Sequence, residues 1–343
     1  MSGNSRSING LKMDIAKGHF RPHTALTNIA LSYYQNAANY FARAIFPVCK
    51  VTLSSDNYYI FNKEDLLRDN WKRKPAYGRV EPAPVSEHTD TYTVHVDQMR
   101  MGIDQIRQTD IDRRQAPGAM NPKVQRVRIL TEQANIHQDS LFARSYFKSG
   151  AWGNEWTGVS SNPSGSQFLK FTDANADPIA FIDDQKTEML RETGRMPNRM
   201  ALGINVFNAL KNSPAIKERI LPGGSTANPA TVTEQVLAAL FGVEKLVVLR
   251  SIMNSADFGE AASMNFIGNA NDFMLAYATN APSIEEPSAG YIFTWDMLGN
   301  GQILPIRTYL GEEGTYSEYV EGLMAYDMRK TADDLARYYH GAV

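Results

Sequence analysis

Residues 177–220 constrain the fold more than any other stretch, because they prescribe a helix, a buried strand and a second helix in close succession. Asp177 is placed to cap a helix that opens on Pro178, whose missing N–H is one the first turn leaves unpaired. Ile179, Ile182, Met189 and Leu190 form one apolar stripe at helical spacing, and Gly194 suits a left-handed stop. After the Pro197-Asn198 turn, Met200, Ala201 and Leu202 are too few for a helix and read as a short buried strand. Asn205 then starts a helix carrying Val206, Leu210 and Ile216. A strand buried between helices requires an apolar layer on each face.

The same logic continues beyond residue 220. Residues 233–241 read as a short helix ended by Gly242, and the run Leu246, Val247, Val248, Leu249 suits a strand buried on both faces. Residues 271–277 and 317–326 read as strands, and residues 331–339 as a closing helix with Asp333 and Asp334 in its first turn. Towards the N-terminus, Leu26, Ile29, Tyr33, Ala37 and Phe41 predict a helix up to Pro47. The preceding residues 1–23 read as an extended arm. Residues 121–149 give the longest helical pattern, about 40 Å at the usual rise, followed by a Gly/Ser/Asn-rich loop over 151–176.

Residues 57–61 and 91–96 look like strands, yet the polar stretch 62–90 between them is longer than compact domains favour. A two-stranded ribbon is only marginally stable alone and needs a surface to lie on. The excursion carries Trp71, Lys72, Arg73, Lys74, Tyr77 and Arg79, and residues 63–79 hold six cations against three acids, a local charge of +3. Three readings stay open: a contact with another subunit, in which the aromatics anchor and the cations meet acids; a solvated loop; and a nucleic-acid surface. The preferred reading makes these six residues subunit contacts.

Catalytic chemistry has little support. His19 and His23 are four apart, but Gly18 and Pro22 disfavour the helix that would align them, and nothing completes a metal set. Asp173, Asn175 and Asp177 imitate a calcium loop, but Pro178 stands where that loop needs glycine, so a turn and helix cap are expected. His95 reads as a surface or interface residue. Cys49 lacks a histidine partner and reads as a buried or half-buried thiol; as the single cysteine it allows no intrachain disulfide. Asp183 and Asp184 are adjacent and read as a solvated face. No phosphate-loop, dinucleotide or nucleophile-elbow motif occurs, so no catalytic, cofactor or metal residue is assigned. Hydrophobic content of 43% in 343 residues supports a substantial core, and a net charge of -2 argues against a dedicated nucleic-acid binder. Without an 18-residue apolar run or a signal-like N-terminus, the expectation is a chain that stays in the cytoplasm and engages no membrane.

The Asp177-Pro178-Ile179 helix start, the Gly194-x-x-Pro197-Asn198 turn into a strand, and the Asn212-Ser213-Pro214 end of the next helix resemble a segment of the tailed-phage major capsid proteins. The other parts follow in that family's order from about residue 24. The resemblance implies an α+β fold with residues 1–50 as N-terminal arm and first helix, 51–100 as an extended E-loop hairpin, and 101–180 as a P-domain with its spine helix. Residues 181–305 would form the central A-domain and 306–343 the return to the P-domain. It implies a structural protein, not an enzyme, that assembles with itself as hexamers and pentamers into an icosahedral shell around double-stranded DNA. Portal and scaffold proteins, a decoration protein and nonspecific DNA contacts would be its partners, in a head assembled in the host cytoplasm. Some family members crosslink a loop lysine to a neighbour, but nothing identifies an acceptor for Lys72 or Lys74, so no crosslink is expected. Two rivals are an encapsulin-like nanocompartment shell and a soluble α/β enzyme with a lid loop.

Overall fold

A sheet whose strands bury both faces needs packing on each side, and that requirement organises this chain. The computed structural model describes residues 39–61, 63–83, 86–106, 108–109, 122–220, 232–257, 259–283, 286–299 and 301–343. The first of these form α1 (Ala42–Ile45), β1 (Val48–Val51), β2 (Ser55–Phe61), α2 (Lys63–Leu66), β3 (Glu87–Thr93), β4 (His95–Asp104) and the long α3 (Pro122–Ser145). There follow β5 (Glu155–Val159), β6 (Gln167–Leu169), α4 (Pro178–Thr193), β7 (Arg199–Gly203), α5 (Ile204–Asn212), α6 (Pro214–Ile220), α7 (Glu234–Phe241) and β8 (Lys245–Leu249). The remainder comprises β9 (Ile252–Asn254), β10 (Met264–Phe266), β11 (Phe273–Ala276), β12 (Gly290–Trp295), β13 (Ile306–Leu310), β14 (Ser317–Lys330), a 3-10 turn (Asp333–Leu335) and β15 (Ala336–His340).

Six strands in the order β6-β5-β15-β11-β7-β8 make the larger sheet. Its side chains alternate between two cores. Met200, Leu202, Leu246, Val248, Phe273, Leu275 and Tyr339 pack with Ile179 and Ile182 of α4, Val206 and Leu210 of α5, and Leu237 and Phe241 of α7. Ala201, Val247, Leu249, Met274 and Tyr338 face the opposite core, with Val127, Leu130 and Phe142 of α3 and Phe41, Ile45 and Phe46 around α1. The second sheet runs β1-β12-β14-β13, with β4 pairing along β14 from Ser317↔Asp104 to Tyr326↔His95. Val320, Met324, Tyr326 and Met328 of β14 join the same core beneath α3.

Local signals set the helix ends. The Asp177 carboxylate accepts from the Ile179 and Ala180 N–H groups at 3.0 and 3.1 Å, Pro178 follows as the first helical residue, and Gly194 closes α4 at φ 70°. The Thr233 hydroxyl caps α7, and Gly242 ends it at φ 60°. Leu190 is exposed, so the buried stripe of α4 is Ile179, Ile182, Lys186 and Met189, with the Lys186 ammonium donating to the Phe241 carbonyl.

Five expectations are corrected. The helix expected from Asn205 through Ile216 divides into α5 and α6, because Ser213 precedes Pro214 and leaves the helical region at ψ 130°, so Ile216 lies on α6. Residues 331–339 do not close as a helix: after one 3-10 turn they run as β15, because Tyr338 and Tyr339 bury on opposite faces of the sheet, an alternation only a strand provides. Residues 151–176 are not only loop, since β5 and β6 extend the larger sheet in parallel with β15. The strand expected over 91–96 divides at Val94 into β3, which stays with β2, and β4, which leaves to pair with β14. The long helix stops at Ser145, short of 149, where the chain turns towards Gly150 at φ 82°. The helix expected from residue 24 lies outside the described residues except for its last few; α1 is what is described there.

Candidate functional site

The β2–β3 hairpin pairs from Ser55↔Thr93 to Phe61↔Glu87, and the connection it carries spans residues 62–86. Its base is held by aromatic packing: Tyr92 stacks on Phe293 of β12 at 4.7 Å, and Tyr58 lies 5.8 Å from the same ring. Cys49, Val51 and Tyr291 complete this small core. Further out, the Lys63 ammonium pairs with Asp334, and Asp65 accepts from the backbone N–H of Ser86 at 3.0 Å and from its hydroxyl. Those Ser86 bonds hold the Asp65 carboxyl below its ordinary value. The stem is thus fixed to the body, and the tip is not covered.

All six residues singled out by the sequence lie on that tip. Trp71 is 95% and Tyr77 107% exposed, and Lys72, Arg73, Lys74 and Arg79 are exposed beside them, with Leu67 and Val80 adding apolar surface. Leaving a tryptophan and a tyrosine wholly in water forgoes about 1.5–3 kcal/mol of burial each, which a partner surface would recover. The tip turns tightly: the Gly78 N–H donates to the Pro75 carbonyl at 3.1 Å, and Tyr77 takes φ 63°.

The other candidates resolve into structural roles or fall away. His19 and His23 lie outside the described residues. His95 is exposed on β4 opposite Tyr326. Cys49 is buried, and burial pushes its thiol up to about 11, far from a usable nucleophile. Asp173 accepts from the Asn175 N–H at 2.8 Å in a local turn, while Asp177 is committed to its cap. Asp183 and Asp184 face solvent. Among the described residues no group of three His, Cys, Asp or Glu side chains is placed to hold a metal ion, and no helix is long and apolar enough to cross a membrane. An open groove of about 500 Å³ between Phe171 and Pro214 presents Asn205, Asn208 and Asn212, with Asp173 as its ionisable side chain.

Buried charges were missed by sequence reasoning. Asp139, on α3, accepts from the Phe41 N–H at 3.1 Å and the Ala42 N–H at 2.9 Å, fixing the start of α1. Burial pushes its carboxyl up to about 6, against the opposing effect of those bonds, the Ser251 hydroxyl and Arg43. Arg199 of β7 holds the other end of α1 through the Ala44 carbonyl at 2.5 Å. Arg337 of β15 binds Gln185, Glu188 and Glu192 of α4 at 2.8, 2.9 and 2.7 Å. Asp139 lies on a helix face that also buries Thr131, Asn135 and Gln138, so no break in an apolar stripe marked it, and nothing local marked the arginines.

No protein-family model matches the sequence. Over 230 residues the chain is 24% identical to the major capsid protein of Burkholderia phage BcepMu, covering 66% of this chain and 68% of that protein. A solved structure of a phage-related protein from Bordetella bronchiseptica RB50 matches 94% of this chain and 97% of its own length, at 20% identity and a TM-score of 0.68. The capsid structure of Cyanophage P-SCSP1u matches 85% of this chain and 86% of its own, at 11% identity and a TM-score of 0.50.

Proposed function

From the tailed-phage major capsid fold this chain shares with those structures, and from its kinship to a phage major capsid protein, we infer that it is the shell subunit of a phage head. It is a structural protein that works through contacts. In this reading it assembles as hexamers and pentamers into an icosahedral shell around packaged double-stranded DNA. Residues 51–100 serve as the extended loop, 101–180 and much of 306–343 as the peripheral domain, and 181–305 as the central domain. Portal and scaffold proteins, and a decoration protein where the head carries one, are its further partners. Contacts with DNA are nonspecific and weak, in keeping with a net charge of -2, and assembly takes place in the host cytoplasm.

One observation carries the reading to the residue level: a hairpin fixed at its base holds Trp71 and Tyr77 fully exposed among four cations. Tryptophan, tyrosine and arginine are the residues that protein interfaces concentrate, and a ribbon of two strands needs a neighbour to rest on. Each subunit would bury several interfaces of roughly 1,000 Å² or more, and closure makes their sum hard to reverse.

Particle size tests this directly. Size exclusion with light scattering and negative-stain microscopy should show rings, tubes or shells for the intact chain, and a folded but unassembled subunit after deletion of residues 66–86. A chain that stays a 38.3 kDa monomer at high concentration, with and without a scaffold protein, overturns the reading.

A further inference from the structure

Two exposed tyrosines hold a backbone conformation that bulky side chains rarely adopt. Tyr77 has φ 63° and Tyr316 has φ 45°. Tyr77 lies within a tight turn, and Tyr316 directly follows one at the start of β14. The Pro75 carbonyl closes the first, while in the second the Thr315 N–H donates to the Glu312 carbonyl at 3.1 Å and the Gly311 N–H to the Ser317 carbonyl at 2.7 Å. The Tyr316 carbonyl also accepts from the Gln105 N–H at 2.9 Å, tying the second tip to the end of β4. Both tips are therefore set in advance, which lowers the ordering cost of docking.

Their chemistry is opposite. The first offers Lys72, Arg73 and Lys74 between Trp71 and Tyr77; the second, joining β13 to β14, offers Glu312 and Glu313 between Leu310, 70% exposed, and Tyr316, 67% exposed. Since all these side chains are exposed, the tips do not satisfy one another within one chain. A patch whose complement lies elsewhere on the same sequence makes head-to-tail contacts, which close into rings when the rotation allows.

We propose that the 310–316 tip is the docking surface for the 71–79 loop of a second copy. Lys72, Arg73 and Lys74 meet Glu312 and Glu313, while Trp71 and Tyr77 pack on Leu310 and Tyr316. This rests on the shell reading above and adds to it the receiving surface on the neighbour. Opposed charges of this kind set partner choice and association rate, and they weaken as salt rises.

Charge exchange tests the pairing. The variant K72E/R73E/K74E and the variant E312K/E313K should each assemble at least about tenfold more slowly than the parent at low salt, and the chain carrying all five changes should recover most of that rate. Because every altered side chain is exposed, melting of the unassembled subunit should not change, which separates failed docking from failed folding. Independently, a chain with Lys74→Cys and Glu313→Cys should give oxidised ladders of linked subunits that neither single cysteine gives. Either charge variant assembling at the parent rate, a five-residue exchange no better than the worse parent variant, or absent ladders in assembled particles overturns the tip pairing and leaves the shell reading standing. A loop variant that assembles normally but loses bound DNA assigns the cations to nucleic acid and also overturns it. A parent chain that never assembles overturns both.

Discussion

Asp139 should make subunit stability depend on pH in a way that one substitution removes. Its carboxyl is buried and pushed up to about 6, from an ordinary value of 3.8, by loss of hydration. That displacement corresponds to about 3 kcal/mol of preference for the protonated form in the folded chain. The folded value is raised, so this stabilising contribution is complete below 3.8 and lost as pH rises through 6, with a slope approaching about 1.4 kcal/mol per pH unit between the two. Asp139→Asn keeps an oxygen to accept from the Phe41 and Ala42 N–H groups and cannot ionise. It should match or exceed the parent at pH 7.5 and lose its advantage at pH 4.5. Asp139→Ala leaves both N–H groups buried without an acceptor, which costs about 1–3 kcal/mol each at every pH. Urea unfolding of the unassembled subunit at pH 4.5, 6.0 and 7.5 measures all three chains, and the difference between parent and Asp139→Asn isolates this carboxyl from other titrating groups. The reasoning is refuted if Asp139→Asn retains the parent's pH slope, or if it is as damaged as Asp139→Ala at pH 7.5.

Three further outcomes are expected. Arg337, 2% exposed, ties β15 to α4, so Arg337→Ala should destabilise by roughly 3 kcal/mol and lower the melting temperature of the subunit; an unchanged melt would show that the cluster contributes nothing net. Gly203 lies where a Cβ would sit 2.3 Å from the Ala270 carbonyl oxygen, so Gly203→Ala must shift backbone and should cost about 1–3 kcal/mol in denaturant unfolding. Cys49, with its thiol pushed up to about 11 inside the aromatic base of the hairpin, should resist a disulfide reagent at pH 8 in the folded subunit and react at once in urea; rapid reaction without denaturant would place it at the surface.

How far the chain could be read in advance depended on the range of the interaction concerned. The α4 cap at Asp177, the left-handed Gly194 and the Thr233–Gly242 bounds of α7 involve partners within a few residues, and each stands where the local pattern placed it. The short runs around Leu202 and Val248 were legible as strands because apolar residues on both faces leave no other economical packing. The tip residues from Trp71 to Arg79 were singled out as an aromatic and basic run in a connection too long to be a simple turn, and the structure finds them exposed. Their proposed complement around Glu312 has no comparable local signal, since two acids beside a glycine look like any solvated turn, and only the conformation of Tyr316 and the exposure of Leu310 set it apart.

The rest was set by packing between distant segments. Residues 331–339 carry a credible helix start, yet Ala336–His340 is a strand because pairing with both β5 and β11 fills the gap between them and buries Tyr338 and Tyr339 in separate cores. The pairing of β14 with β4, the parallel match of β1 to β12, and the charges of Asp139, Arg199 and Arg337 depend on residues far apart in the chain. The caps and turns were readable in the chain because their hydrogen bonds and steric limits are settled among near neighbours, and the apolar and basic-aromatic runs because their composition alone marks them. Strand order and the partners of buried charges were settled only when distant segments competed for the same apolar surface, because burial depends on the whole layer and not on any one stretch within it.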